Sequence, residues 1–223
     1  ELVKNFIAQL QGNAGIFTER GQNLYGFLHL TLQEYYTCKK LVSLEKNRNR
    51  PKELVKIFQD YVADPRFRVP ITLALGWISW KWDASEFEEF CQELFESKNH
   101  LSSYFPLEVL MFMTCIDELA ELPSESIIRR GLSRLLLIAG KNNWHVNYPN
   151  LEQTLAIGLL KLSPESIKNW ISEVISSKDT KLESISALCA LLQECERIAQ
   201  PDESQEKKNL LKILFELYKI LKL

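Results

Sequence analysis

Three histidines are the side chains of this 223-residue chain best suited to acid–base chemistry near neutral pH. They are His29, His100 and His145, which lie far apart in the sequence and have no obvious nucleophile beside them. The sequence also lacks the phosphate-binding pattern G-x-x-x-x-G-K-S/T and the patterns G-x-G-x-x-G, H-E-x-x-H and G-x-S-x-G. We therefore predict that this segment is not an enzyme by itself.

One of these histidines stands where an anion could be bound. The strand-like residues 24–27 run directly into a helix that is expected to present His29 in its first turn and Gln33 one turn later. A helix N-terminus carries unpaired N–H groups and a partial positive charge, so a histidine there suits contact with a phosphate. The alternative is that His29 packs between hairpin and helix and bonds to the backbone. Spacing alone leaves both interpretations open.

A second candidate site lies in the connector at residues 142–150, the most polar and aromatic connector of the chain. Exposed loops carry binding residues more often than cores do. If the helical part of the chain contacts a partner, we expect the contact first at Trp144, His145 and Tyr148.

The cysteines indicate neither a metal site nor a disulfide framework. All five lack C-x-x-C or other paired spacing, and an odd number of thiols suits a cytoplasmic chain in which they stay reduced. We expect no bound metal, and no run of about 18 uncharged apolar residues exists to span a membrane. Since the sequence begins at Glu1 without a leader, we expect it to be part of a longer protein. The cysteines are Cys38, Cys91, Cys115, Cys189 and Cys195.

The net charge of −2 argues against a dedicated nucleic-acid binder. It hides an uneven distribution, because residues 1–82 carry twelve Lys and Arg against seven Asp and Glu, whereas residues 83–122 carry one against ten. The acidic residues alternate with apolar ones, which favours a solvated helix face over a surface for a basic partner. We expect Arg129, Arg130 and Arg134 to form ion pairs with this acidic block.

The elements that position these residues are almost all helices. A Gly/Asn turn at 21–23 between two short strand-like runs predicts a β-hairpin of strands 16–20 and 24–27, preceded by a short helix. Apolar periodicity and capping residues then predict helices, including one after the N-cap pair Ser163-Pro164. We predict an all-α fold, in which a remnant of a winged helix precedes an irregular HEAT-like array of antiparallel helical hairpins. Other predicted helices begin or lie at 28–45, 51–61, 71–80, 83, 106–122, 124–139, 151–162, 180 and 202.

An aromatic cluster falls in the third of these helices. Trp77, Trp80 and Trp82 stand near Tyr61 and Phe67, beside the basic first third of the chain. The cluster could stack bases or seat a peptide, but aromatic residues at helical spacing usually belong to a core. We therefore expect these tryptophans to be buried.

The residues around His29 resemble a known family. The run Phe27-Leu28-His29-Leu30-Thr31-Leu32-Gln33-Glu34-Tyr35, with residues 15–17 before it, is similar to the end of the winged-helix domain in NACHT-family STAND NTPases. That group includes animal NOD-like receptors and bacterial defence proteins. The resemblance covers about twenty residues and extends loosely to Trp80 through residues 69–77, which look like the helical segment that follows the domain in bacterial members.

The resemblance implies roles for the matching residues. His29 would contact the β-phosphate of bound ADP in a closed state, while Phe27, Gln33, Glu34 and Tyr35 would hold their helix against the nucleotide domain. The nucleotide-binding domain itself, with its ADP or ATP and Mg²⁺, would lie upstream in the parent protein, so this segment would bind no cofactor alone. Residues 1–47 would complete the winged helix. Residues 48–223 would form the helical array, with a sub-boundary near 98–105.

The resemblance also implies a function. The segment would couple ADP-held autoinhibition to ligand sensing and to homo-oligomerisation on activation, in cytoplasmic innate immunity or antiviral defence. The ligand sensed by the array is not identified by any motif. The alternative is a helical protein–protein interaction scaffold with no nucleotide role, which the helical array by itself would also suit.

Overall fold

Two short strands open the described part of the chain. The computed structural model describes residues 17–22, 24–27, 29–44, 47–97, 106–139, 150–176 and 182–198, with isolated helical positions near both ends. Strands β1 (Phe17–Gly21) and β2 (Leu24–Phe27) pair antiparallel, and the register shifts between Glu19 and Gly21. Phe17 lies opposite Phe27, with ring centroids 4.6 Å apart. The predicted hairpin is confirmed.

Nine α-helices follow within these ranges, together with two 3₁₀ turns at Pro65–Phe67 and Ile116–Glu118. Most begin where the sequence offers a start signal. Ser163, for example, accepts a hydrogen bond from the backbone N–H of Ser166 at 3.4 Å, and Pro164 occupies the first helical position. The helices are α1 Leu30–Leu41, α2 Arg50–Tyr61, α3 Arg68–Lys81, α4 Ala84–Glu96, α5 Leu107–Thr114, α6 Glu125–Ala139, α7 Leu151–Leu160, α8 Pro164–Ser176 and α9 Leu182–Ile198.

Several helix boundaries differ from the predicted ones, and α1 spans Leu30–Leu41 where 28–45 was predicted. Helix α3 begins at Arg68, ahead of Pro70, because the 3₁₀ turn at Pro65–Phe67 leads straight into it. The helix predicted over 106–122 is shorter: α5 ends at Thr114, and the tighter turn that follows buries Ile116. A tighter turn rotates the side chains that follow it, which a pattern of helical periodicity does not reveal.

The helices form two layers. In the odd layer, α1 packs against α3, α3 against α5, α5 against α7 and α7 against α9. In the even layer, α2 packs against α4, α4 against α6 and α6 against α8. Each helix therefore has the second helix before it and the second after it as neighbours, as expected when short connections turn the chain back at every helix. The predicted array of stacked helical hairpins is confirmed.

The core lies between the two layers. Trp170 is fully buried there and donates its indole N–H to Ser133 Oγ at 2.7 Å. Gly131 permits a close approach of α6 to α4, since a Cβ at this position would stand 2.9 Å from the ring of Phe95. The largest fully buried side chains also include Phe90, Phe112, Leu54, Ile71, Leu75 and Ile78.

Ion pairs join α2 to α4 in the even layer. Arg50 lies 2.5 Å from Glu86 and stacks over the ring of Trp82 at 4.2 Å, and Lys52 lies 3.2 Å from Glu93. The acidic stretch was expected to be a solvated helix face. Glu86 departs from that expectation, because its side chain is only 18% exposed where α4 lies beside α2, whereas the side chain of Glu93 keeps 37% exposure.

The three arginines of α6 also form ion pairs, as predicted, but with a wider set of partners. Two of them reach the acidic stretch, whereas Arg129 extends the other way, to α8. Arg134 additionally donates to the Phe95 carbonyl. The pairs are Arg130 with Glu96 at 2.5 Å, Arg134 with Glu108 at 3.7 Å and Arg129 with Glu173 at 3.2 Å.

The described cysteine side chains are buried, as predicted for core residues: Cys38, Cys91, Cys115 and Cys195. Burial raises the pKa of the Cys91 thiol well above its usual range, so this thiol stays protonated. In the described ranges no three His, Cys, Asp or Glu side chains are grouped so that they could hold a metal ion. The same ranges contain no helix long and apolar enough to cross a membrane.

Candidate functional site

The junction between the hairpin and α1 is built around His29. Its backbone is extended, with φ −111° and ψ 129°, and its carbonyl accepts the N–H groups of Leu32 at 3.2 Å and Gln33 at 3.4 Å. His29 is therefore the N-cap of α1, one position before the first turn in which it was predicted. Its side chain makes no capping hydrogen bond and is exposed. Exposure disagrees with the alternative in which His29 packs between hairpin and helix.

The electrostatics of this helix end favour an anion. The first N–H groups of an α-helix have no partner within the helix, and the macrodipole places a partial positive charge there. The first turn of α1 contains no acidic residue that would oppose this charge, whereas its last turn contains Lys39 and Lys40. An imidazole at this position adds an N–H donor in either protonation state.

Aromatic contacts fix the junction. The ring of Phe27, at the end of β2, lies 4.6 Å from that of Phe17 and stacks on Tyr36 of α1 at 5.7 Å. Tyr36 also meets Tyr35 edge-on at 5.5 Å. Because Phe27 contacts both the other strand and the helix, the orientation of the hairpin on α1 is set two residues before His29.

The other predicted packing residues lie along α1. The side chain of Gln33 is exposed, and its carbonyl accepts the hydroxyl of Thr37 at 2.7 Å. Glu34 is half-buried, and Tyr35 is 45% exposed. On the opposite side, Cys38 is buried where α1 packs against α3. Helix α1 thus has one side on the helical array and another that is open to solvent.

The predicted aromatic cluster is divided by the structure. Trp82 is buried and Trp77 half-buried, but Trp80 is 62% exposed. The expectation that all three belong to the core is therefore wrong for Trp80. The physical reason is that α3 has no charged residue between Arg68 and Lys81, so periodicity could not show which side faces outward.

Several predicted features lie outside the described residues. They include the short helix predicted before the hairpin, the side chain of Cys189, the sub-boundary at 98–105 with His100, and the connector residues Trp144, His145 and Tyr148. The structure adds one feature that the sequence did not indicate, an open cleft of about 430 Å³ where α2 ends and α7 begins. Its lining residues include Arg68, Met111 and Thr154. These residues are far apart in the sequence and belong to no common motif, so the sequence could not indicate the cleft.

The hairpin that leads into a helix fits the closing part of a winged-helix domain. Residues 1–41 match the family model of the winged helix-turn-helix domain C-terminal to NACHT. The predicted resemblance is thereby confirmed for this segment, which ends with α1 at Leu41. No curated protein and no solved structure matches the chain.

The matched model describes a domain that follows NACHT. A domain C-terminal to NACHT implies an upstream nucleotide-binding domain in the same protein. The winged helix is a regulatory domain and not a catalytic one. His29 lies inside the matched range, at the start of its last helix.

Proposed function

We propose that the chain is the regulatory and sensor segment of a NACHT-type STAND NTPase. Residues 1–47 complete the winged helix, and residues 48–223 form the helical array. In the closed state, ADP held with Mg²⁺ by the upstream domain also contacts His29. The observation that carries this proposal is the exposed imidazole of His29 at the positively polarised start of α1, within the matched range.

The chemistry of this contact is electrostatic. A phosphate oxygen at the start of α1 accepts a hydrogen bond from the imidazole and gains from the partial positive charge of the helix end. The exposed Gln33 and Tyr35, with Glu34 between them, are positioned for packing against the nucleotide domain. Phe27 supports them by holding the hairpin on α1. Closure over ADP thus covers the surface of α1 that is exposed in this chain by itself.

Coupling to the array runs through α1. This helix begins at His29 and packs against α3, so a movement of α3 acts on the residue that holds the phosphate. A ligand that binds the array better in the open state shifts the population toward that state, from which the protein assembles into a homo-oligomer. Trp144, His145 and Tyr148 are the residues we propose for ligand contact, and cytoplasmic antiviral or innate immune signalling is the proposed setting.

The test is His29→Ala in the protein that includes its NACHT domain. We expect less co-purifying ADP and a higher basal activity, measured by chromatography of the released nucleotide and by the oligomeric state. Thr31→Ala is the matched control, since Thr31 is also exposed at the start of α1. Equal ADP content in wild type and His29→Ala would overturn the role of His29.

The second candidate function is a helical scaffold that binds a protein partner without a nucleotide role. The exposed apolar side of α3 favours it, because such a surface suits a protein contact. The two functions differ in one measurement: a scaffold would bind its partner equally well in His29→Ala and in wild type, whether or not nucleotide is present.

A further inference from the structure

One side of α3 is open to solvent although it is apolar. Val69, Leu73, Trp77 and Trp80 follow each other at helical spacing, and we call this surface the α3 outer face. The exposed fractions of Val69, Leu73 and Trp80 are 43%, 42% and 62%. From Val69 to Trp80 the helix rises by eleven residue steps, which corresponds to roughly 16 Å along the axis.

Two lysines hold their charges on this face. Lys39 of α1 has its Nζ 4.1 Å from the centre of the Trp77 ring, and Lys81 has its Nζ 3.4 Å from that of Trp80. The two indole centroids are 6.1 Å apart. The ammonium groups are therefore held over neighbouring aromatic rings by cation–π contacts, in a fixed place beside the apolar stripe.

The two lysines of the α3 outer face have no carboxylate partner among the described residues. Within the described ranges neither Lys39 nor Lys81 forms an ion pair, and α3 contains no Asp or Glu. Arg50 and Lys52, only one helix away, both meet a glutamate. Among the described residues, Lys39 and Lys81 thus lack the carboxylate partner that the two cations of α2 have.

We propose that the α3 outer face is the docking site for an acidic amphipathic helix of a protein partner. The apolar stripe matches the length of about three helical turns, and exposed Trp is a residue type that contributes strongly to binding energy at protein interfaces. Lys39 and Lys81, which both lie beside the Trp77 ring, select glutamate or aspartate next to the partner's apolar stripe. This inference is independent of the nucleotide role of His29.

The aliphatic residues favour a protein over a nucleic acid. Val69 and Leu73 form the half of the face that is nearer the start of α3, and they offer no surface on which a base stacks well. The face also has only two lysines, whereas nucleic-acid binding draws on several phosphate contacts. An apolar helix side with acidic borders satisfies both the stripe and the lysines.

The test is a selection from displayed helical peptides of about 16 residues. Their apolar positions are fixed as Leu at helical spacing, and the bordering positions are randomised between Glu and Lys. We expect the chain to enrich Glu over Lys about tenfold, and the double variant Lys39→Glu with Lys81→Glu to reverse this preference. An equal yield of Glu and Lys would overturn the proposal.

The location is tested by the affinity of the selected peptide. Trp80→Ala should weaken binding about tenfold or more, measured by fluorescence anisotropy of the labelled peptide. Leu137→Ala on α6 is the matched control, because Leu137 is 43% exposed and apolar but lies away from this face. Circular dichroism verifies that each variant is folded. Unchanged affinity in Trp80→Ala, or a single-stranded DNA oligonucleotide that binds more tightly and is lost with the same variants, would overturn the proposal.

Discussion

The even layer and the α3 outer face handle positive charge in opposite ways. In the even layer, arginines and lysines of one helix meet glutamates of the next, so that α2, α4, α6 and α8 are joined in series. On the α3 outer face, Lys39 and Lys81 rest on indole rings without a carboxylate among the described residues. Charge of the same sign is part of the fold in one region and is presented to solvent in the other.

The difference teaches that a charge count along the sequence does not identify a binding surface. The stretch with the strongest local charge, in and after α4, has several of its glutamates paired within the fold. Lys39 and Lys81 beside α3 are instead the cations that remain available to a partner. A charged side chain is paired within the fold when the neighbouring helix supplies an opposite charge at ion-pair distance, and is otherwise left for a partner.

The largest expected effect compares two tryptophans. Trp170→Ala should lower the free energy of unfolding by about 3–5 kcal/mol, because it empties a fully buried site and leaves Ser133 without its indole partner. Trp80→Ala should change it by no more than about 0.5 kcal/mol, since this side chain is mostly exposed. Urea unfolding followed by circular dichroism measures both. A large loss in Trp80→Ala would mean that the α3 outer face is structural.

The next comparison is between two cations that both contact an indole. Arg50→Ala should cost about 2 kcal/mol, because it removes the partner of Glu86 and the group stacked on Trp82 in a largely buried setting. Lys39→Ala removes only a contact with Trp77 and should cost about 0.5 kcal/mol. Thermal or urea unfolding of the two variants checks the order. Equal losses would show that the cations of the two regions do not differ in their contribution to the fold.

The smallest effect concerns the carboxylate that joins α6 to α8. Glu125 accepts a hydrogen bond from the Ser166 hydroxyl. It also accepts one from the backbone N–H of Ser163 at 2.7 Å and one from the Ser163 hydroxyl at 3.0 Å. These bonds, the one from Ser166 first, hold the pKa of Glu125 below its usual value, with a contribution from Arg129. A lowered pKa stabilises the folded state above the unfolded value of about 4.3, and the gain disappears as the pH falls through the folded value.

Glu125→Gln should therefore lower the free energy of unfolding by about 1.5 kcal/mol at pH 7. The two proteins should converge in acid, because protonated Glu125 resembles glutamine. Urea unfolding at pH 7 and near pH 3 checks this. A difference that stays constant with pH would contradict the assigned role of the carboxylate, and Glu165→Gln, at an exposed neighbouring position, provides the control.

Local sequence signals predicted the elements well. The Gly/Asn turn predicted the hairpin because it joins two short strand-like runs that lie next to each other in the sequence, and Ser163-Pro164 marked the start of α8 to the residue. The His29 pattern located the candidate site, although the helix begins at Leu30, two residues later than predicted. Such signals act over a few residues, and the sequence displays them directly.

Contacts between distant residues could not be predicted in the same way. The partner of Glu86 stands 36 residues earlier, and that of Glu173 stands 44 residues earlier, on the neighbouring helix of the same layer. Which side of α3 faces outward likewise depends on where α1 and α5 lie. Trp80 looked like a core residue because its exposure is decided by those neighbours and not by its own helix.

The two-layer packing has a consequence for how the chain could change in length. Since each helix is supported by the second helix on either side, the repeating unit of support is a pair of successive helices. A pair added at the far end would extend both layers at once and would leave every existing contact between α1 and α8 in place. The reach of the array can therefore vary between proteins while the junction at His29 stays the same.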